Sequence, residues 1–484
     1  MSRKQTYFAL VLVAVAVLGV GGAVARNSGP TKDAPCPTVR SFGAVGDGTA
    51  DDTAAIQAAV DAAIGLVRLP RGIYRITRPI QIDLDKVGYT SLAGDGVAQI
   101  VMAGPGPALR FVGTHDGTAA PATVRPNVWK NERTPSVDAI EIVGDHPQAC
   151  GIEATGTMQL TLTRVVVRQA LHAVHLVQRN RNVILSECHL YENRGIGLFL
   201  DGVNLHQINV ANCHISYNAG GGIVARGSEL RNLQIGCCDI EGNMGDAESE
   251  PTANVRLDSA GASIGEVTIV GCTLQHTRDG PHSANIRING HSTPRAGTDE
   301  RRHGNVTIAD NILSDVQVNV ELRSLRAVTL TGNTMWQGFE RNLMVDDCAN
   351  VVVANNVFDR NPRYHAGRNA DAQNRVLFVD SADCTIRGNH VYGESNERAA
   401  VELRRCRRMN VAGCTILDYG QCGLLLDDVR DSRVSDCLIR DDRANADGTS
   451  LSVTGSGNMV VDNLLGKPPV IAPGAAVAKD NVVP

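Results

Sequence analysis

Charged side chains that suit acid–base chemistry recur along the middle of this 484-residue chain. Five of them are candidate catalytic residues: Asp346, Asp347, Asp380, Arg287 and Arg323. Six more are candidate ligand-binding residues: Arg256, Asp258, Glu321, Phe378, His282 and His365. Carboxylates can move protons at a reacting bond, and arginines can neutralise an anionic group beside it. The residue types therefore suit two different reactions.

The first reaction is hydrolysis by acid–base catalysis. It needs one carboxylic acid to protonate the leaving oxygen and one carboxylate to activate water, and the three aspartates are the candidates for these roles. The second is proton abstraction, in which a cation neutralises a substrate carboxylate and a base removes the neighbouring proton. Arg256, Arg287 and Arg323 suit the first of these tasks. The candidate bases are His282, His303, Tyr364 and His365.

A repeated pattern predicts the elements that position these residues. The pattern reads V-x-I/L-x-x-C/N-x-I/L, and its Cys or Asn falls at Cys188, Cys213, Cys238, Cys272, Asn311, Asn333, Asn356, Asn389, Cys414, Cys437 and Asn463. Most intervals are about 22 to 26 residues, and the longer ones carry insertions. One such unit cannot bury its apolar side alone, whereas stacked units can. Inward Asn side chains would then bond to those above and below.

A second alternating segment precedes each of these strands, as in Val255-Arg256-Leu257 and Val320-Glu321-Leu322. With the short strand after each Cys or Asn, every unit holds three strands. The pattern predicts an all-β, single-stranded right-handed parallel β-helix of about 12 coils. The residues between the apolar positions face outward, so pairs such as Arg256/Asp258, Glu321/Arg323 and Phe378/Asp380 form one charged strip. Salt bridging along a solvated sheet is the alternative explanation for such a strip.

The N-terminal segment carries a family resemblance. Val39-Arg40-Ser41-Phe42-Gly43-Ala44-Val45-Gly46-Asp47-Gly48 is followed by Asp51-Asp52-Thr53 and then by Leu69-Pro70-Arg71-Gly72-Ile73-Tyr74. These residues resemble the first coils of the pectate-lyase-like superfamily, which includes polygalacturonases, rhamnogalacturonases, uronan epimerases and phage tailspikes. The resemblance implies a substrate lying along the first strand sheet, between the loops that flank it. It is a fold signature, since the superfamily hosts several chemistries.

The resemblance is incomplete at the candidate site. Asp346, Asp347 and Asp380 resemble the aspartate cluster of polygalacturonases, but the Asn-Thr-Asp, Asp-Asp, Gly-His-Gly and Arg-Ile-Lys set of that family is not reproduced. The Asp-Pro-His-Asp signature of mannuronan epimerases is also missing from the sequence. No metal or cofactor is assigned. Asp258 with Glu321 is a weak candidate for calcium.

An N-terminal α-helical cap is also expected. Thr53 can cap a helix from about residue 54 to 64, whose apolar Ile56, Val60 and Ile64 would cover the first coil. Insertions at 244–253, 276–284, 291–304 and 360–374 would flank the strip with loops. Phe378, taken as exposed, and Trp336 are candidates to stack on sugar rings.

Cysteine usage and charge restrict the class of protein. The 13 cysteines are odd in number, and six lie on the inward ladder, which favours buried free thiols over disulfides. The formal net charge is −5 and there is no extended basic tract, which argues against a nucleic-acid binder. The partner expected instead is a polysaccharide.

The first residues predict export. Arg3 and Lys4 precede an uncharged run that ends in Ala23-Val24-Ala25, so residues 1–25 are a signal peptide or an N-terminal membrane anchor. Residues 26–37 are a linker, 38–466 the β-helix and 467–484 a tail. Both alternatives place the body outside the cytoplasm, in the periplasm, on the cell surface or secreted.

Two functions remain open at this stage. The first is an exported carbohydrate-active enzyme, either a glycoside hydrolase or a lyase or epimerase, that acts on an acidic polysaccharide along the strip. The second is a non-catalytic β-helix that binds a cell-envelope polysaccharide or has a structural role. Carboxylates shielded by arginines would favour the second, and a carboxylate pair with raised pKa values would favour the first.

Overall fold

The computed structural model describes residues 36–245, 250–393, 395 and 397–484. Residues 38–484 form one compact unit. The segment expected to be a signal peptide or anchor, and most of the expected linker, lie outside the described residues. In the part of the chain that is described, no helix has the length and apolar character needed to cross a membrane.

Short strands dominate the described chain. Its helical segments are the 3-10 turns Val39–Phe42, Pro121–Thr123 and Gly367–Asn369, the π turn Val128–Glu132, and the helices α1 Thr53–Asp61 and α2 Leu84–Val87. The strands of the N-terminal half are β1 Asp47–Asp51, β2 Leu66–Leu69, β3 Gly72–Ile76, β4 Ile80–Asp83, β5 Ser91–Met102, β6 Gly106–Val112, β7 Ser136–Gly144, β8 Ala149–Thr155, β9 Thr157–Met158, β10 Thr161–Thr163, β11 Val166–Arg168, β12 Val174–Ser186, β13 His189–Tyr191, β14 Ile196–Ala211, β15 His214–Ser216, β16 Gly221–Arg226, β17 Glu229–Gly236 and β18 Asp239–Glu241.

The remaining strands continue the same pattern to the end of the chain. They are β19 Ala253–Asp258, β20 Ser263–Ile264, β21 Val267–Val270, β22 Thr273–Gln275, β23 Ala284–Asn289, β24 His303–Ala309, β25 Ile312–Leu313, β26 Val316–Arg323, β27 Leu325–Thr331, β28 Thr334–Met335, β29 Gly338–Asp346, β30 Ala349–Ala354, β31 Val357–Phe358, β32 Arg375–Val379, β33 Thr385–Arg387, β34 His390–Tyr392, β35 Val401–Arg404, β36 Asn410–Ala412, β37 Thr415–Leu417, β38 Cys422–Arg430, β39 Arg433–Ser435, β40 Leu438–Arg440, β41 Thr449–Ser456, β42 Asn458–Val461, β43 Leu464–Leu465, β44 Val470–Ile471 and β45 Ala476–Lys479.

The strands pair in parallel with their counterparts one coil away, which gives three series of paired strands. The series that carries the candidate site is called the first sheet and consists of β4, β6, β8, β12, β14, β16, β19, β23, β26, β29, β32, β35, β38, β41 and β44. A second series runs through β17, β21, β24 and β27, and a third through β18, β22, β25 and β28. This arrangement confirms the predicted parallel β-helix.

The interior is one continuous apolar core that runs along the coils. Its residues alternate with outward ones, as in β19, where Val255 and Leu257 are fully buried while Arg256 and Asp258 are partly exposed. Each fully buried aliphatic side chain of this kind contributes about 1.5 to 3 kcal/mol. A single coil could not bury these side chains, so each coil is stabilised by stacking on its neighbours.

The predicted ladder of small inward residues is present. Asn311, Asn333 and Asn356 each donate an amide hydrogen bond to the next Asn of the ladder, over 3.0, 2.9 and 3.0 Å. Ladder cysteines such as Cys188 and Cys213 are buried and donate to backbone carbonyls. All 13 cysteines are free and ten are buried, which confirms the prediction of buried thiols.

The N-terminal helix α1 starts one residue earlier and ends sooner than expected. It spans Thr53–Asp61, and its buried Ile56 and Val60 belong to the apolar core. Thr53 lies in the helix rather than before it, and its hydroxyl donates to Asp51 Oδ1 at 2.5 Å and accepts from the backbone N–H of Thr77. The acidic residues here therefore organise the turn that leads into α1.

The C-terminal residues continue the strand pattern. Within 467–484, β44 pairs with β41 and β45 pairs with β42, both in parallel. Val470, Val477 and Val482 are more than half exposed. The segment expected to be a tail thus contains two further strands of the same parallel arrangement.

Candidate functional site

The first sheet aligns most of the candidate residues in two outward rows. In one row, Arg256 pairs with Arg287, which pairs in turn with Glu321 on the next coil. In the other row, Asn289 pairs with Arg323. Arg323 pairs in turn with Asp346. Neighbouring coils lie about 4.8 Å apart, so these side chains are in direct reach of one another. The two rows between β19 and β32 are called the charged strip.

Phe378 is not on the charged strip. Val345 pairs with Phe378, so this ring points inward and is fully buried, while Leu377 and Val379 face outward. The prediction that Phe378 is exposed and stacks on sugar rings is therefore wrong. The predicted inward and outward positions of this strand are shifted by one residue, and such a shift moves each side chain to the opposite face. The same shift moves Asp380 into the turn after β32, where its φ is +49°.

A cavity of about 300 Å³ opens on the charged strip. It is lined by Pro251, Arg256, His282, Arg287, Val318, Glu321, Arg323, Glu340, Arg341 and Met344. Its four arginines come from four consecutive strands of the first sheet, β19, β23, β26 and β29. This arginine cavity brings together five of the candidate residues, Arg256, Arg287, Arg323, Glu321 and His282, and adds Arg341, which the sequence did not indicate.

Glu321 lies between two of these arginines and is 7% exposed. Its oxygens accept hydrogen bonds from Arg287 Nε at 2.8 Å and from Arg323 Nε at 2.6 Å. Burial raises the pKa of Glu321, but the two guanidinium groups outweigh burial and lower it below its usual value. Glu321 is therefore held as a carboxylate that orients two arginines, and it is poorly suited to act as an acid.

Two rim arginines keep more of their capacity for a ligand. Arg256 Nη1 is 3.1 Å from Glu250, whose side chain is 72% exposed, and Arg341 Nη1 is 3.1 Å from the half-exposed Glu340. Arg341 Nε is buried and has no hydrogen-bond partner in the described part of the chain. Both carboxylate partners can turn into solvent, so an anionic ligand can replace them at little cost.

The three candidate aspartates occupy different environments. Asp346 accepts from Arg323 Nη1 at 3.0 Å, and burial raises its pKa although Arg323 opposes this. Asp347 lies in a turn and accepts from Ser324 Oγ at 2.8 Å. Asp380 receives two hydrogen bonds of 2.7 Å from Arg405, which lower its pKa. The pKa of Asp346 is thus raised and that of Asp380 lowered, so these two aspartates do not form a carboxylate pair with raised pKa values.

The candidate bases are also separated by the fold. His282 lines the arginine cavity, and its carbonyl accepts from Arg287 Nη2 at 2.5 Å. His365 is held by Asn361 and Asn374 instead, and burial lowers its pKa. It does not line the cavity, so the structure gives no support to its predicted role in ligand binding.

The other two candidate bases are engaged elsewhere as well. The ring of His303 bonds to Ser263 Oγ at 2.8 Å, and this histidine begins β24, outside the first sheet. Tyr364 packs against Trp336 at 5.8 Å between ring centroids. The Trp336 ring is therefore partly covered by Tyr364. His282 is the one candidate base that the described residues place at the cavity.

Inserted loops beside the cavity are joined by Arg278. Its Nη1 donates to the carbonyl of Arg368 at 2.7 Å and to Asn369 Oδ1 at 2.8 Å, and its guanidinium lies 3.9 Å from the Phe339 ring centroid. Gln317 Nε2 donates to the Arg278 carbonyl at 2.8 Å. The loop that carries His282 is thus tied to the loop before β32, as expected for long loops that build a site.

A second asparagine ladder, which the sequence analysis missed, supports the strands of the cavity. Its members are Asn193, Asn218, Asn243, Asn254, Asn285, Asn319, Asn342 and Asn374. All eight are buried, and most links are 2.7 or 2.8 Å long. The available signal was an Asn directly before the apolar residue of several first-sheet strands, as in Asn254-Val255 and Asn285-Ile286.

A calcium site at Asp258 and Glu321 is not supported. Asp258 accepts from Asn289 Nδ2 at 3.0 Å and from the backbone N–H of Ala260, while Glu321 is occupied by two arginines. Within the described ranges, no group of three or more His, Cys, Asp or Glu side chains is arranged to hold a metal ion.

Two family models match successive parts of the chain. Residues 38–237 match the rhamnogalacturonase A/epimerase, pectate lyase-like family, and residues 238–468 match a family described as periplasmic copper-binding protein NosD. Together with the parallel coils, these matches identify the class: the chain belongs to the pectate-lyase-like superfamily of parallel β-helix proteins.

Individual relatives are either short matches or distant ones. Mannuronan C5-epimerase AlgE5 of Azotobacter vinelandii is 60% identical over 43 residues, which is 8% of this chain and only 4% of that protein. Tailspike protein 3 of bacteriophage CBA120 is 11% identical with a TM-score of 0.45, over 92% of this chain and 61% of its own. PfbA, a surface adhesin of Streptococcus pneumoniae, is 16% identical with a TM-score of 0.45, over 84% and 93% of the two chains.

Proposed function

We propose that this protein is an exported carbohydrate-active β-helix protein that acts on an acidic polysaccharide at the arginine cavity. The observation that carries the proposal is the convergence of four arginines from consecutive coils on one cavity of about 300 Å³. Such a cavity attracts an anionic sugar chain that runs along the coils, because each coil presents a guanidinium at its own level.

The chemistry favoured here is removal of the proton beside a uronate carboxylate, as in a lyase or an epimerase. Guanidinium groups that bind the carboxylate stabilise the negative charge that develops when the proton leaves. Arg256 and Arg341 are suited to this task because their carboxylate partners are exposed. His282, at the wall of the cavity, is the candidate base.

Hydrolysis is less well supported. It needs two carboxyl groups on opposite sides of the scissile bond, one of them protonated at working pH. Asp346 has a raised pKa, but Arg405 lowers the pKa of Asp380, and Asp380 lies in the turn rather than on the strip. Arg287 and Arg323 likewise keep Glu321 ionised.

The family matches support this proposal in two ways. The model that matches residues 38–237 is described as a rhamnogalacturonase A/epimerase family, and the short stretch of high identity is shared with mannuronan epimerases. The model that matches residues 238–468 is described as periplasmic, which supports export. The apolar run that precedes Arg26 fits the same localisation.

A second candidate function is binding without catalysis. It is favoured by the pairing of Glu321, Asp346 and Asp380 with arginines, so none of these three carboxylates is unpaired. In that case, the same strip would hold the polysaccharide and leave it intact.

The test is to incubate the protein with uronic-acid and neutral polysaccharides and to follow three products together. Unsaturated uronate absorbance reports a lyase, new reducing ends report cleavage, and proton NMR of the recovered polymer reports epimerisation. His282→Ala should abolish the product and retain binding of the polysaccharide. Arg164→Gln, at an exposed arginine paired with Asp138 outside the first sheet, should behave as the native protein does.

The outcomes separate the alternatives. Double-bond formation or epimerisation that His282→Ala removes would support proton abstraction. Reducing ends without a double bond would support hydrolysis and contradict the favoured chemistry. Binding of acidic chains with no product would support the binding function, and no preference for acidic chains would contradict both candidates.

A further inference from the structure

Exposed aromatic side chains are scarce in this protein, and two of them lie together. Phe, Tyr and Trp make up only 4% of the chain. Within the described ranges, four of these residues are more than 40% exposed, namely Tyr89, Trp129, Tyr217 and Tyr364. Tyr364 packs against the Trp336 ring. Tyr89 and Trp129 form a separate exposed pair, outside the arginine cavity.

Arg133 joins the two rings of this pair. Its guanidinium carbon lies 5.2 Å from the centroid of the Trp129 ring and 5.8 Å from that of the Tyr89 ring. Arg133 Nε donates to Tyr89 Oη at 3.2 Å, and Tyr89 Oη donates to the Trp129 carbonyl at 3.2 Å. In the part of the chain that the structure describes, Arg133 forms no ion pair with a carboxylate. These three residues are called the aromatic platform, and its positive charge is not neutralised.

The turn that carries Trp129 is fixed by a buried carboxylate. Glu132, at the end of this turn, is 1% exposed. It accepts from the backbone N–H of Thr114 at 2.6 Å and from Asn127 Nδ2 at 2.9 Å. The cation–π contacts with Arg133 hold the rings in turn. Because the platform is already organised, a ligand that binds there loses little of its binding energy in ordering side chains.

The platform lies beside the first sheet. Tyr89 is in the connection that follows β4, and Trp129 and Arg133 are in the loop that follows β6, both strands of the first sheet. Parallel pairing links successive coils in the order Arg133, Met158, Arg181, His206 and Arg231. Arg256, at the rim of the arginine cavity, lies one coil beyond Arg231. With coils about 4.8 Å apart, the platform is about 24 Å from the cavity along the axis of the β-helix.

The chemistry of the platform suits a sugar acid. An aromatic ring can pack against the C–H face of a sugar ring, while the indole N–H and the phenol oxygen reach hydroxyl groups at its edge. The guanidinium of Arg133 can bind a carboxylate. The neighbouring residues Asp85, Lys86 and Lys130 are exposed and charged, so the apolar surface is limited to the two rings. Such a surface is too small for the core of an ordinary protein interface.

We propose that Tyr89, Trp129 and Arg133 form a second binding site for an acidic polysaccharide and hold the same chain that enters the arginine cavity. The choice of ligand rests on the proposed function, but the platform contains none of the residues of the cavity. A chain long enough to reach both sites binds the second one intramolecularly, which raises its affinity above that of a short chain. The platform therefore makes the protein select long chains.

The test uses the fluorescence of Trp129. The chain has two tryptophans, so Trp336→Phe leaves Trp129 as the single indole. This variant is titrated with polygalacturonate and with alginate, each as the long polymer and as a trisaccharide, and with dextran as a neutral polymer. The emission of Trp129 should change saturably with a long acidic chain, at lower sugar concentration than with the trisaccharide. Dextran should produce a weaker response, because it offers no carboxylate to Arg133.

Calorimetry with the same sugars then compares variants of the platform. Trp129→Ala and Arg133→Gln should each weaken binding of the long acidic chain by about fivefold or more. Both should leave trisaccharide binding at the arginine cavity unchanged. Tyr217→Ala is the matched control, because Tyr217 is a 54% exposed aromatic residue outside the platform, and it should bind all the sugars as the native protein does.

The outcomes separate this inference from the proposed function. A Trp129 response that persists in Arg256→Gln/Arg341→Gln protein would support the platform even if the cavity binds nothing. Long-chain binding that Trp129→Ala and Arg133→Gln both retain in full would overturn the platform alone. An unchanged Trp129 emission with every acidic chain would also overturn it, and an absence of acidic-chain binding in both assays would overturn the proposed function as well. An equal response to dextran would contradict the role of Arg133.

Discussion

Replacing Asn285 by alanine should destabilise the protein strongly. Asn285 is fully buried in the second asparagine ladder and lies in β23, the strand that also carries Arg287. Its Oδ1 accepts from Asn254 at 2.7 Å, and its Nδ2 donates to Asn319 Oδ1 at 2.7 Å and to the Ser314 carbonyl at 3.0 Å. Alanine would remove three hydrogen bonds and leave three buried polar groups without these partners.

The magnitude follows from those three bonds. A buried hydrogen bond contributes about 0.5 to 1.5 kcal/mol, and a buried group left unpaired costs more, so the expected loss is about 3 to 5 kcal/mol. The matched control is Asn209→Ala, because Asn209 makes an exposed 3.3 Å bond to Gln234 and should change stability by less than about 0.5 kcal/mol. Urea unfolding followed by circular dichroism measures both. A loss below about 1 kcal/mol for Asn285→Ala would refute the assignment of a stabilising role to this ladder.

Three further predictions concern the core, the thiols and pH. Phe378→Ala should lower stability by about 3 to 5 kcal/mol and leave polysaccharide affinity unchanged, whereas an exposed stacking ring would show the reverse in unfolding and binding assays. Cys36 and Cys237 should react quickly with a thiol reagent, and the ten buried cysteines only on unfolding, as mass spectrometry of the labelled protein can show. Burial lowers the pKa of His172 from 6.5 to about 4, so the unfolded chain binds more protons in this window and stability should fall as pH drops from 6.5 to 4. His172→Gln should flatten this part of the pH profile of the unfolding midpoint, and an unchanged slope would contradict it.

The coils could be predicted from the sequence because a small inward residue, Cys or Asn, recurs at the same place in each repeat. Cys188, Cys213 and Asn311 each follow two inward apolar positions, and the same alternation marks their strands, whatever loops are inserted between them. The alignment of Arg256, Arg287 and Glu321 followed from the same alternation, since their flanking residues are apolar and their own positions are charged.

The position of Phe378 could not be obtained in this way. Every residue of β32 is buried, so Arg375-Val376-Leu377-Phe378-Val379 has no alternation that distinguishes one face from the other. Pairing with β29 sets the register, and that pairing depends on contacts far apart in sequence. The sequence-based choice of face was therefore arbitrary for this strand.

The cavity itself depended on the paths of the loops. Arg341 lies in β29 before the predicted Leu343-Met344-Val345 segment, and the alternation says nothing about which way its side chain turns. Likewise, Arg278 joins two loops that lie 90 residues apart, a contact that no local pattern indicates. The position of Arg341 and the contact made by Arg278 could therefore be found only from the three-dimensional structure.

The most direct measurement for the central claim is the affinity of acidic and neutral oligosaccharides for the native protein and for the R256Q/R341Q double variant. Both arginines have exposed carboxylate partners, so the substitutions leave no buried charge behind. Each lost charge-assisted hydrogen bond should weaken binding by about tenfold or more. The account predicts a preference of the native protein for uronate oligosaccharides that weakens with salt and is lost in the double variant. Equal affinity for neutral and acidic chains, or uronate binding that the double variant retains in full, would contradict it.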